Sequence, residues 1–265
     1  MTVQLDRGLI RTSYGHIHYR EAGSGPAIVL LHINQQSSAV MAELVEALAP
    51  RRRAIAIDYP GHGMSDHLAV QPTIPDYAHC VLEVLDALGV GSFTALGEAT
   101  GAAVSVALAT AAPARVERAV LVNCPLLEQK VADGLLEEFN AKLRPADASG
   151  FGALRTIDFL LQEDPDHAPL CPTQSWMDRI NRAQAECGRD RWQALSALIS
   201  YDLAAALARV ACPVLLLTGE QFYFRHRVPE IERRVRNLES EVLAGARFCA
   251  TWEKASEIAR RVVEE

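Results

Sequence analysis

The sequence predicts an α/β protein: a mostly parallel, eight-stranded sheet flanked by helices, with an all-helical insertion in its second half. Three observations predict it. Short, almost wholly apolar segments recur, such as AIVLLH at 27–32, as strands covered on both faces do. They alternate with helical segments, and that alternation builds a parallel sheet with helices on both sides. Between 125 and 208 the alternation stops and only helical segments remain.

Each element follows in order. Residues 3–10 and 15–21 read as strands around the turn Arg11-Thr12-Ser13-Tyr14. After the turn Gly23-Ser24-Gly25-Pro26, 27–32 is a strand and 39–48 a helix with Val40, Leu44, Val45 and Leu48 on one face. Residues 54–58 form a buried strand stopped by Tyr59-Pro60-Gly61. An amphipathic helix at 76–88 is closed by Gly89. A strand at 93–97, a small-residue helix at 101–112 ended by Pro113, and a strand at 118–123 complete the first part. Helical segments at 131–143, 152–162, 174–187 and 191–208 follow, punctuated by Pro145, Pro165, Pro169 and Pro172. Strands at 214–218 and 241–243 and a helix at 255–263 resume the alternation. The expected organisation is one core, 1–124 with 209–265, carrying a helical cap at 125–208.

Composition narrows the function classes. A chain of 265 residues suits one domain with a sizeable insertion. With 49% hydrophobic and 22% charged residues it has enough apolar material for a large core and does not read as disordered. A net charge of −7 argues against a nucleic-acid partner. The basic runs Arg51-Arg52-Arg53 and Arg233-Arg234-Arg236 read as solvated faces among acidic neighbours. Six dispersed cysteines without a C-x-x-C pair suggest reduced thiols and a cytoplasmic location. Asp6 and Arg7 argue against a signal peptide, and no apolar run reaches the ~18 residues of a membrane span, so no membrane partner is expected. His16 and His18 share a strand face but lack a carboxylate in the pattern, so no metal is expected. There is no P-loop and no G-x-G-x-x-G after a strand, so no cofactor is expected.

Four segments carry a resemblance: GSGPAIVLLH at 23–32, DYPGHGMSD at 58–66, GEATGAAVSVALATAAPARVERAVLVN at 97–123 and CPVLLLTGE at 212–220. Together they resemble the α/β-hydrolases of the small esterase, haloperoxidase-like and C–C-hydrolase type, over nearly the whole chain. The resemblance implies a nucleophile at the centre of G-x-S-x-G, on a sharp strand-to-helix turn. Here that motif reads Gly97-Glu98-Ala99-Thr100-Gly101, and a methyl group cannot attack a carbonyl. Counting along the family pattern puts the acid position at Phe222 and the histidine position at Phe248, and the glycine after His32 is Ile33. All three triad positions are thus expected to be substituted. Natural remodelling explains the set together, because removing one member alone would strand a buried charge. An engineered loss of serine would explain Ala99 only, and a triad built from other residues is the third possibility.

The resemblance also implies a pocket at the strand C-termini, under the helical insert. It would be lined by His32, Ile33, Asn34, Gln35, Gln36, Glu98, Ala99, Thr100, Cys124, Phe222, Tyr223 and Phe248. Glu98 is either a general base or a structural hydrogen-bonder, and His32 either an acid/base or a brace of the loop after its strand. Cys124 reads as a buried thiol more than a nucleophile, and Thr100 as a helix N-terminal cap more than a reactive hydroxyl. Asn34, Gln35 and Gln36 are candidate substrate hydrogen-bonders. Tyr223 and His226 either reach the cavity or lie on the surface, and Asp58 and His62 belong to a structural turn. Phe139, Phe151, Phe159, Trp176, Trp192 and Tyr201 either roof the cavity or pack helices. The leading expectation is a cofactor-free, non-hydrolytic enzyme of lyase, cyclase or isomerase type on a small apolar or aromatic molecule, with His32 and Glu98 as its catalytic groups. The alternatives are a silent ligand-binding or scaffold protein and an ester or C–C-bond hydrolase that has lost its serine. The expected partner is a small molecule, with a homodimer possible.

Overall fold

A computed structural model describes residues 3–127, 134, 157, 171–187 and 192–264. Its sheet has eight strands: β1 (Asp6–Thr12), β2 (Gly15–Ala22), β3 (Ala27–Leu31), β4 (Arg53–Ile57), β5 (Phe93–Glu98), β6 (Val116–Val122), β7 (Val214–Gly219) and β8 (Leu238–Leu243), in the order β1-β2-β4-β3-β5-β6-β7-β8. β1 and β2 are antiparallel at one edge, and the six strands from β4 to β8 run parallel. The apolar runs are the central strands, buried along almost their full length. β8 (LESEVL) is an edge strand, and its charges pair outward, Glu239 with Arg118 and Glu241 with Arg261. Exposed charge of this kind guards a sheet edge against further pairing.

The described helices are α1 (Ala42–Leu48), α2 (Ile74–Ala87), α3 (Thr100–Ala111), α4 (Gln174–Cys187), α5 (Gln193–Ile199), α6 (Leu203–Leu207), α7 (Val228–Arg234), α8 (Ala250–Glu253) and α9 (Ala255–Val263). One core layer joins α2, α3, α5 and α6 to one side of the sheet; the other joins α1 and α9 to the opposite side. α2 begins at a reciprocal cap, where the Thr73 hydroxyl accepts from Asp76 N–H and the Asp76 carboxylate accepts from Thr73 N–H.

Several expected bounds are corrected. β1 starts at Asp6 rather than residue 3, and β8 begins at Leu238 rather than 241. The helix expected across 191–208 is two helices, because Asp202 leaves helical geometry and its carboxylate accepts Ala205 N–H to start α6. α8 is an additional short helix before α9. The helical segments expected at 131–143 and 152–162, with Phe139, Phe151 and Phe159, lie outside the described residues.

Register aligns the strand ends into one rim. Leu31 pairs with Ile57 on one side and Gly97 on the other, Glu98 with Val122, and Val122 with Leu217. His32, Asp58, Ala99 and Asn123 therefore follow the ends of four neighbouring strands.

Candidate functional site at the strand rim

The turn from β5 into α3 is built by two glycines. A Cβ on Gly97 would lie 2.1 Å from Gly101 O, and one on Gly101 would lie 2.0 Å from Leu31 O. Only bare backbone lets α3 start this close to β5 and β3. Between them Ala99 is held at φ 50°, ψ −110° and is 2% exposed. Left-handed backbone costs an alanine ~1–2 kcal/mol, and such strain persists only where neighbours over-determine it. Here Ala99 N–H donates to Val122 O, and Ala102 and Ala103 N–H close on Ala99 O. The described non-glycine residues with positive φ are Gln35, Ala99 and Asn123, all on this rim.

Glu98 lies beneath the turn, fully buried. Its Oε1 accepts from Asn123 Nδ2 (2.8 Å) and Ala250 N–H (2.9 Å); its Oε2 accepts from Thr251 N–H (3.0 Å) and the Thr251 hydroxyl (2.5 Å). Burial pushes its carboxyl up to about 7, against the pull of these donors. Both oxygens are occupied, so the geometry is that of a brace between the elbow and α8. Asn123 completes it. Its Nδ2 also donates to Arg247 O (2.8 Å), and its Oδ1 accepts from Gly219 N–H (2.9 Å). One buried side chain thus ties β5, β7 and the segment before α8.

His32 is equally committed. Its Nδ1 bonds Ile33 O (2.7 Å), its Nε2 accepts from Tyr59 N–H (3.3 Å), and its ring lies 4.2 Å from that of Tyr59. Burial lowers its pKa, which keeps the imidazole neutral. Burial, with His32 nearby, lowers His62 to about 3, and its Nδ1 meets Pro60 O at 3.1 Å. The loop from Ile33 to Ser37 is clipped at its far end by Asp58, whose Oδ1 accepts from Ser38 N–H (2.5 Å) and Oδ2 from Met64 N–H (3.0 Å), with His18 Nδ1 at 2.8 Å. Burial alone would raise Asp58, but the His18 bond and the other donors hold it at about 2. A Cβ on Gly63 would lie 2.1 Å from Asp58 Oδ2, which explains the glycine in the PGHG turn. His16 turns instead to Asp66, 3.2 Å away, so the two strand-face histidines serve different carboxylates.

Other expected site residues are placed as follows. Ile33, Gln36, Cys124 and Phe222 are buried, while Asn34, Gln35 and Phe248 are partly buried. Burial pushes the Cys124 thiol up to about 12, which removes it as a thiolate at neutral pH. Gln35 Oε1 meets Gln184 Nε2 of α4 at 3.5 Å. Phe222 and Phe248 lie side by side, ring centres 6.0 Å apart, on the loops after β7 and before α8. Tyr223 is 64% exposed and packs edge-on against Phe224, and His226 is exposed, so both stand on the surface. Thr100 does not cap α3. The N-cap is Ala99 and makes no side-chain bond; the buried Thr100 hydroxyl has no partner among the described residues. Trp176 stacks on Trp252 at 5.6 Å, and with Met177 and Ile180 it packs on Cys249, beside Phe248. Sequence reasoning missed Asn123 and Thr251. An asparagine closing an apolar strand was the available signal.

The N–H groups of Ile33 and Thr100 take no hydrogen-bond partner among the described residues. Thr100 opens α3, where the first N–H groups have no carbonyl a turn back. The rim therefore offers polarised donors beside a methyl group and over a buried brace. Among the described residues no helix is long and apolar enough to cross a membrane.

Comparison with known proteins agrees with this architecture. Haloalkane dehalogenase 2 of Mycobacterium bovis is 34% identical over 113 residues, which are 42% of this chain and 40% of that protein, so the match spans less than half of either. The 2-(acetamidomethylene)succinate hydrolase of Mesorhizobium japonicum is 32% identical over 218 residues, 77% of this chain and 74% of that one. The crystal structure of the enol-lactonase of Burkholderia xenovorans superposes with a TM-score of 0.74 at 22% identity, covering 97% and 98% of the two chains. The family model described as the alpha/beta hydrolase fold matches residues 26–254. With that span inside the family pattern and the eight-stranded sheet and glycine-locked elbow in place, the chain belongs to the alpha/beta hydrolase fold family.

Proposed function

We propose that the chain binds a small, largely apolar carbonyl compound at the elbow and forms no acyl intermediate with it. The observation that carries this reading is an elbow whose strained backbone and free N–H groups are intact while its side chain is a methyl. Donors aimed at a carbonyl oxygen polarise and hold it without a nucleophile. On the family pattern Phe222 and Phe248 replace acid and base, and their contact gives the ligand an apolar wall. A helical cap at 125–208 would close the pocket. Any lyase, cyclase or isomerase step would run on orientation and desolvation. His32 and Glu98 would not supply its proton transfers, since their ring nitrogens and oxygens are already bonded.

A second reading has support of its own: the matched relatives are named as hydrolases, which favours an ester or C–C-bond hydrolase whose serine has become Ala99. One experiment separates the two. p-Nitrophenyl ester turnover is measured for the native chain and for Ala99→Ser, alongside thermal-shift binding of the same acyl groups as non-hydrolysable ketones. Our reading expects ketone binding and no ester turnover by either protein. Hydrolysis by Ala99→Ser well above the native chain would replace it with the second reading.

A further inference from the structure

The elbow is closed: Ala99, Ile33, Thr100 and Phe222 are all buried, so a ligand reaches the rim only after a movement. α4 joins the two segments that border the elbow. Its Gln184 Nε2 meets Gln35 Oε1, on the loop after β3, at 3.5 Å. Its Trp176, Met177 and Ile180 pack on Cys249, just before α8, with Ile157 and Trp252 partly buried beside them. Among the described residues this apolar cluster belongs to neither core layer of the sheet. An element held by few buried apolar contacts opens at a lower free energy than the continuous core does. α4 also has a charged tie to the core. Arg179 forks onto Glu43 of α1, Nη2 to Oε1 at 2.6 Å and Nη1 to Oε2 at 2.9 Å, and Nη1 donates in addition to Ala39 O at 3.0 Å. Such a two-pronged pair is both strong and directional.

We propose that α4 opens as a unit of its own while the sheet stays folded, and that Arg179, seated on Glu43 and Ala39 O, is the latch that sets how often it opens. This goes beyond the pocket reading and is tested without a ligand, so either can fail alone. Once the fork lets go, α4 keeps only a polar contact at the outer limit of hydrogen-bond length and the small cluster on Cys249. Lifting α4 bares the Cys249 thiol. Cys80, which lies on α2 inside the larger core layer, stays covered until the whole chain unfolds.

The test is alkylation of the folded, full-length chain by iodoacetamide, followed thiol by thiol with mass spectrometry. Cys249 reports α4, Cys80 reports global unfolding, and the exposed Cys171 reports the reagent. Cys249 should react about tenfold or more faster than Cys80. Arg179→Met and Glu43→Gln should each speed Cys249 about fivefold or more and leave Cys80 within about twofold of the native rate. The double variant should stay within about twofold of the faster single one, because both changes remove the same tie. Equal rates at Cys249 and Cys80 in the native chain would make α4 part of the core and overturn the proposal. So would variants that leave Cys249 unchanged, that speed Cys80 as much as Cys249, or whose effects multiply in the double.

Discussion

Two carboxylates are fully buried at the strand rim, and they titrate in opposite directions. Asp58 is held at about 2 and Glu98 is pushed up to about 7. Burial acts upward on both. The difference lies in the partners: Asp58 faces an imidazole as well as backbone N–H groups, whereas Glu98 receives only neutral donors from Asn123, Ala250 and Thr251. At Asp58 the hydrogen bonds, led by the one to His18, outweigh the cost of burial, whereas at Glu98 the donors offset it only in part. The region around Asp58 is therefore a clip whose carboxylate stays ionised, and the region around Glu98 is a strut beneath the elbow whose carboxyl titrates near neutral pH.

The largest expected effect tests the strut. Glu98→Ala removes one of the acceptors of Asn123 Nδ2 and strands two N–H groups and the Thr251 hydroxyl, and should cost about 3–5 kcal/mol in urea unfolding. A loss under 1 kcal/mol would mean that water replaces the carboxylate, and the contrast between the two regions would lose its structural half.

Next comes the pH limb of Glu98. Its folded pKa lies above the unfolded value of 4.5, so its contribution is complete below 4.5 and fades as pH rises through about 7. Stability should fall by about 3 kcal/mol across that window. Glu98→Gln should flatten this slope, and an unchanged slope would assign the effect elsewhere. Asp58 has the reverse sign. Its folded pKa is below 3.8, so its contribution is present above 3.8 and lost as pH falls toward about 2, worth about 2 kcal/mol. Acid unfolding of Asp58→Asn should lack that limb. If both variants changed the same limb, the opposition between the carboxylates would be broken.

The smallest effect concerns what the strut supports. Ala99→Gly should stabilise the protein by about 1 kcal/mol, as φ 50° becomes unstrained. A destabilised variant would show that the methyl packs well enough to outweigh its strained backbone.

The fold was legible because its signals are local. Apolar runs fixed the central strands, and the segments at 174–187 and 255–263 match α4 and α9 end to end. The break at 200–202 was hidden because its cause is one capping carboxylate inside a continuous helical pattern. α8 spans four residues, too few to show a period. The elbow was legible through Gly97 and Gly101, whose spacing sets the backbone contact. For Glu98 and His32 a structural role was legible beside a catalytic one, but their partners were not. Glu98 is bonded to Thr251, 153 residues away, and His32 to Tyr59, 27 residues away, and no local pattern carries such pairs. Thr100 read as a cap because its residue type suits one, and only the three-dimensional structure shows its hydroxyl buried and unpaired among the described residues.

Asn123 has a consequence for how the molecule opens. Its amide joins the centre of the sheet to the chain near residue 247, so that late segment cannot peel away without breaking bonds inside the most protected layer. Hydrogen exchange at Ala250 and Thr251 should then report global unfolding, as the middle strands do, and not the fraying usual near a chain's end.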